Sequence, residues 1–178
     1  MSKVLLIFLL LSIHTAIAQK FKSTVGTIKF YSEELLEDIT AINNKVKSIF
    51  DSETGQIVFS VTMTGFEFEK SLMQEHFNEK YLESDKYPKA TFNGTIIGFE
   101  VNKMNPDVEA EGELEIHGVK NRVKVRGKLD FIGDNLIMHS IFMVKLVDYK
   151  ITVPKLMFQN IAEEIEVTID IEYKAYEK

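Results

Sequence analysis

The chain has 178 residues, a formal net charge of −6 and no cysteine. This length fits one domain with a sizeable core, and the absence of thiols excludes disulfides and thiol catalysis. The acidic balance argues against a nucleic-acid partner, because phosphates need a basic surface.

Residues 1–18 have the pattern of a secretory signal peptide. Lys3 supplies the positive start, residues 4–11 are apolar, and a small-x-small cleavage signal ends at Ala18. The apolar run is too short to cross a bilayer. We predict cleavage near Ala18, a single mature domain of residues 19–178 without a transmembrane segment, and a periplasmic or secreted location.

Period-two alternation of apolar and polar residues predicts an antiparallel all-β domain. The predicted strands are 21–31, 38–50, 56–65, 90–101, 108–117, 123–131, 136–147 and 163–176. Between the third and fourth strands, apolar residues recur at helical spacing, which predicts a short amphipathic helix over 71–83 that Ser71 could cap. Loops are expected at 102–106 and, with Pro154, at 148–160.

The stretch 108–131 predicts a long hairpin with one apolar face. Pairing opposite charges across the strands places Glu115 opposite Lys124, with Gly118 and Asn121 flanking the turn. In this register, Gly112 lies opposite Gly127.

A two-residue turn at 133–134 would also place Gly127 opposite Ser140. Gly112, Gly127 and Ser140 then form a row of small inward positions across three strands. Such a row is typical of sharp curvature, or of a ligand that lies along the wall.

Eight half-buried strands can form a sandwich or a closed barrel. An eight-stranded barrel has either a filled interior or room for one small ligand. The composition includes 13 phenylalanines and 7 methionines but no tryptophan, so either kind of interior would be lined mainly by Phe, Met and aliphatic side chains.

Motifs for catalysis are absent from the sequence, which lacks GxSxG, HExxH and a phosphate-binding glycine loop. Glu75, His76 and Glu79 share one helical stretch and could ligate a metal. An exposed helix face needs polar residues in any case, so we predict no metal site. Because no catalytic motif is present, we also predict no enzymatic activity.

Five segments, taken in order, resemble the YceI-like family. Residues 112–119 read GELEIHGV and are followed by Val123, which matches the pattern GxLxIHGVxxxV. The segments 73–77, 87–92, 148–151 and 161–167 resemble the helix, the following strand and the C-terminal part of these proteins.

This resemblance implies an eight-stranded antiparallel lipocalin-like barrel with one short helix. Members of the family bind polyisoprenoid lipids or isoprenoid quinones inside the barrel and are commonly periplasmic. The resemblance therefore implies an isoprenoid lipid or quinone as ligand and partner, with no separate cofactor, and it leaves a homodimer open.

Two groups of residues are candidates for binding that ligand. The side chains that we expect to line the lipid pocket are Phe59, Met63, Met73, Phe77, Phe92, Leu114, Ile116, Phe142 and Val144. The candidates for the head group, at the mouth of the barrel, are His76, Tyr81 and Tyr87.

The leading hypothesis is a protein that sequesters or transports the lipid. A filled barrel that serves as an interaction or stress-response module is an alternative, and it predicts no cavity larger than a few waters. An enzyme that acts on an isoprenoid head group is the other alternative, and it requires polar residues with shifted pKa values at the mouth.

Overall fold

The structure is a computed structural model, and it describes residues 20–33, 38–100, 107–152 and 162–176. The predicted signal peptide and the predicted loop at 102–106 lie outside the described residues.

The described residues form ten strands and one short α-helix. The strands are β1 Lys20–Ser32, β2 Ile39–Asn43, β3 Val46–Asp51, β4 Gln56–Thr62, β5 Phe66–Phe68, β6 Lys89–Ile97, β7 Asp107–Ile116, β8 Val119–Ile132, β9 Asn135–Lys145 and β10 Glu164–Tyr176. The helix α1, Ser71–His76, continues into a π-helical turn at Phe77–Tyr81. Two 3₁₀ turns, Met63–Gly65 and Leu146–Tyr149, follow β4 and β9.

Eight of these strands form a closed antiparallel barrel. Their order around the ring is β1, β3, β4, β6, β7, β8, β9 and β10, and β10 pairs with β1. Every strand of the ring therefore has two neighbours, which removes exposed edges. The predicted eight-stranded lipocalin-like barrel with one short helix is confirmed.

The two ends of the barrel differ in what covers them. The turn between β7 and β8 lies at the end that we call the rim, together with α1 and the 3₁₀ turn after β9. The opposite end, which we call the floor, holds the start of β7 and the end of β8. Because neighbouring strands are antiparallel, β1 and β9 run from the floor to the rim.

The predicted strand 38–50 is two strands, β2 and β3, and its prediction as one element is wrong. Asn43 is fully buried and its side-chain amide donates to the Thr62 carbonyl at 2.8 Å. Its side-chain oxygen accepts from the Lys45 amide at 2.8 Å. These bonds turn the chain after Asn43, so that β2 pairs with the rim half of β1 while β3 pairs with the floor half.

The region around the helix also differs from the prediction. β4 ends at Thr62, and the short strand β5 precedes the helix and pairs with β2. The α-helix covers six residues, and its N-cap is Lys70 without a side-chain cap. The predicted strand 90–101 is shorter, because β6 ends at Ile97.

The predicted register of the long hairpin is wrong by four residues. His117 and Gly118 have φ values of 53° and 70°, which allows the two-residue turn that matches strand twist. Glu115 consequently lies opposite Lys120 instead of Lys124. A shift by an even number of residues leaves each side chain on its predicted face, so the apolar face of the hairpin still points inward.

The row of small inward residues is correspondingly rearranged. Gly127 lies opposite Ser140, as predicted, but Gly112 lies opposite Gly94 on one side and Val123 on the other. A Cβ atom on Gly94 or Gly112 would lie 2.6 or 2.8 Å from the Cζ atom of Phe92. The ring of Phe92 therefore folds over both glycines and takes the place of their side chains.

Candidate functional site

The interior of the barrel holds a cavity of about 220 Å³. A single buried water needs roughly 10–15 Å³ by the same measure, so the cavity is larger by about an order of magnitude. Aliphatic and aromatic side chains from strands around the ring form most of its wall. Such a space suits an apolar chain much better than a polar solute.

The floor closes the cavity with tightly packed aromatic rings. Phe21 contacts Phe50 and Phe131, with ring centroids 6.2 and 5.9 Å apart. Phe99 lies between Phe50 and Phe131, at 5.2 and 6.5 Å. These four residues are absent from the cavity wall, and they separate the cavity from solvent at this end.

A second group of four phenylalanines, which we call the roof cluster, lies at the rim and lines the cavity. Phe77 of the π-helical turn contacts Phe30, Phe66 and Phe68, at centroid distances of 5.6, 5.4 and 5.0 Å. The short strand β5 pairs with β2, and its Phe66 and Phe68 rings also contact Phe30 of β1, at centroid distances of 5.6 and 5.4 Å. The turn that carries Phe77 is thereby held across the end of the barrel.

The structure places all nine predicted pocket residues on the cavity wall. They are Phe59, Met63, Met73, Phe77, Phe92, Leu114, Ile116, Phe142 and Val144. Of the three head-group candidates, Tyr81 lines the cavity. His76 and Tyr87 are partly exposed and lie off the described wall. The binding of a lipid by any of these residues stays a prediction.

Few polar side chains reach the cavity. The Ser140 hydroxyl donates to the Arg126 carbonyl at 2.7 Å, so it is already satisfied. Tyr81 is buried at the rim, and burial raises the pKa of its hydroxyl. An apolar chain could therefore fill this space without leaving the Ser140 hydroxyl unpaired.

Three rim segments meet at His117, in an arrangement that we call the rim clip. Its Nε2 atom lies 2.8 Å from a carboxylate oxygen of Glu83, and its Nδ1 atom lies 3.2 Å from the Tyr149 carbonyl oxygen. A carbonyl and a carboxylate oxygen are both acceptors, and a neutral ring has one N–H to donate to one of them. The ring also contacts Tyr87, with centroids 4.6 Å apart.

The rim clip therefore ties the end of the helical segment to the hairpin turn and to the 3₁₀ turn after β9. Glu83 and His117 both have positive φ values, 43° and 53°. Such values are uncommon outside glycine, and here they aim the two side chains at each other.

A buried polar network lies beneath the cavity. The Tyr173 hydroxyl lies 2.7 Å from the Ser48 hydroxyl, which donates to the Val58 carbonyl at 2.9 Å. Burial is the main cause that raises the pKa of Tyr173. These bonds satisfy the polar atoms inside the floor and join β10 to β3, the two strands that flank β1.

Of the roof cluster, sequence patterns predict Phe77 alone, and they do not predict the rim clip. The alternation of Phe66, Glu67 and Phe68 is the signal that could have revealed β5. For the rim clip, the adjacent His117 and Gly118 could have indicated a two-residue turn. Glu83 carries no comparable signal, because its contact with His117 joins residues far apart in the chain.

Two kinds of feature are absent from the described ranges. Glu75, His76 and Glu79 do not form a metal-binding group, and no three His, Asp or Glu side chains in the described ranges do so. Nor does any helix in the described part of the chain have the length and hydropathy that a membrane crossing requires.

A closed antiparallel barrel with an apolar interior cavity is the architecture of lipocalin-like binding proteins. The family model of the YceI-like domain matches residues 11–173. The chain belongs to the YceI-like family. Comparison with curated proteins found no match.

Solved structures of low sequence identity share this fold. BcnA of Burkholderia cenocepacia has a TM-score of 0.70 at 15% identity, and the match covers 83% of this chain and 95% of that chain. A polyisoprenoid-binding domain from Saccharophagus degradans, implicated in plant cell wall breakdown, has a TM-score of 0.70 at 12% identity, covering 88% and 98%. A YceI protein of Campylobacter jejuni has a TM-score of 0.64 at 13% identity, covering 82% and 90%.

Proposed function

We propose that this chain is an exported protein that holds the chain of an isoprenoid lipid or quinone inside its barrel, for sequestration or transport. The observation that carries the proposal is the apolar cavity of about 220 Å³ between the floor and the roof cluster. Each methylene group moved from water into such a space contributes about 0.8 kcal/mol. A long apolar chain therefore needs few polar contacts to bind.

The floor and the rim give the bound lipid a direction. Apolar rings close the floor, so a polar head group there would lose its hydration without a partner. At the rim, Tyr81 lines the cavity and the rim clip lies close by. We infer that the tail enters first and that the head group stays at the rim, where Tyr81 is the best placed of the three candidates.

The family supports an isoprenoid ligand over other long lipids. A solved domain with the same fold is described as polyisoprenoid-binding. The filled-barrel alternative predicts no cavity larger than a few waters, and the cavity volume weighs against it. The alternative of an enzyme acting on the head group stays untested.

Lipid extraction tests the proposal. We expect protein purified from its natural host, extracted with organic solvent and analysed by mass spectrometry, to yield an isoprenoid lipid or quinone. The delipidated protein should take up added quinone. Recovery of no isoprenoid together with no uptake would contradict the proposal.

A matched pair of variants locates the ligand. Ala110 lines the cavity, so Ala110→Phe places a ring inside it. Ile141 lies on the outer face of β9 with 52% of its surface exposed, so Ile141→Phe adds similar bulk outside. We expect the inner variant to lose about tenfold or more in quinone affinity, equivalent to about 1.4 kcal/mol, and the outer variant to bind normally. Equal binding by both would place the ligand outside the barrel.

Export is tested separately. If residues 1–18 are a signal peptide, the mature protein from the host should begin near Gln19 and occur in the periplasmic or secreted fraction. N-terminal sequencing of the protein from each fraction measures both.

A further inference from the structure

The floor of the barrel consists of two layers with different packing. Ile57 and Met138 belong to the upper layer and line the cavity. The lower layer is solid, and each of its members is at most 1% exposed: Phe21, Phe50, Leu129, Leu136, Ile171 and Tyr173. These six side chains do not contribute to the cavity wall.

Members of the lower layer flank Ile57 and Met138 on the neighbouring strands. Ile57 lies opposite Phe50 in the ladder between β3 and β4. Met138 lies between Leu129 and Ile171 on the neighbouring strands. Side chains in such a close-packed layer have little room to move.

The position of Met138 is further defined by a polar contact. Its sulfur lies 3.9 Å from the Tyr173 hydroxyl, which is held by Ser48. Methionine otherwise adapts its shape easily. Here the fully buried Tyr173 lies directly below it, so the side chain has a firm support beneath the cavity.

We propose that Ile57 and Met138 form the stop that sets the length of the lipid chain. This inference rests on the proposed function and adds a selectivity for chain length. Each carbon that reaches apolar space adds up to about fourfold in affinity. Affinity therefore rises with each isoprene unit until the tail meets these two side chains, and further units remain outside the barrel.

Shortening the two side chains moves the stop. Met138→Ala and Ile57→Ala each remove about three heavy atoms, so the double variant frees about the space of one five-carbon isoprene unit. Met143 and Val58 give a matched control, since they are the same or a similar residue type on the same strands but face outward, with 53% and 40% of their surface exposed.

The experiment is a competition. Delipidated protein is incubated with an equimolar mixture of isoprenoid quinones of increasing chain length, and the bound species are identified by extraction and mass spectrometry. We expect the Met138→Ala/Ile57→Ala variant to shift its preferred length upward by about one isoprene unit. The Met143→Ala/Val58→Ala control should keep the wild-type distribution.

Two further variants keep the test decisive if the double variant unfolds. Met138→Phe should shift the preference towards shorter chains, while Met138→Leu, which preserves volume, should leave it unchanged. Circular dichroism identifies the folded variants. Folded floor variants that bind quinone with an unchanged length distribution would overturn the stop. A wild-type protein that takes up none of the quinones would instead overturn the proposed function, and the stop with it.

Discussion

Two leucines on adjacent strands offer a direct test of the division between cavity and floor. Leu129 on β8 belongs to the solid lower layer and is fully buried. Leu114 on β7 points inward as well, but it lines the cavity and is partly buried. The substitution Leu→Ala is chemically identical at both positions, so a difference in free energy of unfolding reports the surroundings.

The expected magnitudes follow from what each substitution leaves behind. Leu129→Ala opens a new void in a packed layer, and such changes cost about 3–5 kcal/mol. Leu114→Ala enlarges a space that already exists, so the cavity term is small. The loss is then the transfer energy of a partly buried side chain, about 1 kcal/mol. We expect the two variants to differ by about 2–3 kcal/mol.

Urea unfolding of delipidated protein measures this difference. Bound lipid must be removed first, because a ligand that binds the folded state raises its apparent stability. Circular dichroism follows the transition, since the chain has no tryptophan. With an m value of about 2 kcal/mol per molar urea, the midpoints should differ by roughly 1 M or more. Equal costs of about 3–5 kcal/mol would show that the rim half is as solid as the floor, and would refute the cavity.

Three further outcomes are expected. Burial raises the pKa of the Tyr173 hydroxyl, so the unfolded chain loses this proton at a lower pH than the folded chain does. Above about pH 10, the free energy of unfolding of the wild type should therefore fall with pH more steeply than that of Tyr173→Phe, by up to about 1.4 kcal/mol per pH unit. Urea unfolding at a series of pH values measures both slopes. Gly118 and Gly133 both have positive φ, so an alanine at either position costs about 1–2 kcal/mol of backbone strain. Gly118→Ala should destabilise the fold more, because its Cβ would lie 2.4 Å from Tyr87, whereas the Cβ at 133 meets nothing within 4 Å. Equal losses of melting temperature in the two variants would contradict this prediction. His117→Ala removes the rim clip and should speed the release of quinone, measured by stopped flow. His139→Ala, which replaces an exposed histidine outside the clip, is the control. Identical release rates in the two variants would argue against a role for the clip.

The sequence predicted which residues face the interior better than it predicted which residues are neighbours. Alternation assigns the inner face of each strand, and it survives any register shift by an even number. All nine predicted pocket residues therefore reach the wall, although the predicted partner of Glu115 is Lys124 and the observed partner is Lys120. Alternating Glu and Lys or Arg residues can satisfy opposite charges in several even registers. The turn decides among them, through the positive φ of His117.

Contacts between distant segments explain the other errors. The break between β2 and β3 depends on the bond from Asn43 to the Thr62 carbonyl, and nothing local to residues 38–50 requires that partner. His76 is the last residue of the helix and lies off the described cavity wall, and a role at the head group stays a prediction.

The choice between a cavity and a filled interior depends on residue size at each level of the barrel. Leu114 and Leu129 belong to equally regular strands, so alternation treats them alike. At the level of Leu129, large rings from other strands fill the centre, while the small residues at inward positions occur nearer the rim: Ala90, Gly94, Ala110, Gly112, Gly127 and Ser140. Phe92 occupies the space over two of these glycines, whereas Ala110 and Gly127 line the cavity. The void is thus encoded by small inward residues on strands that are neighbours in the ring, and reading it from sequence requires the register, which the turn at His117 sets.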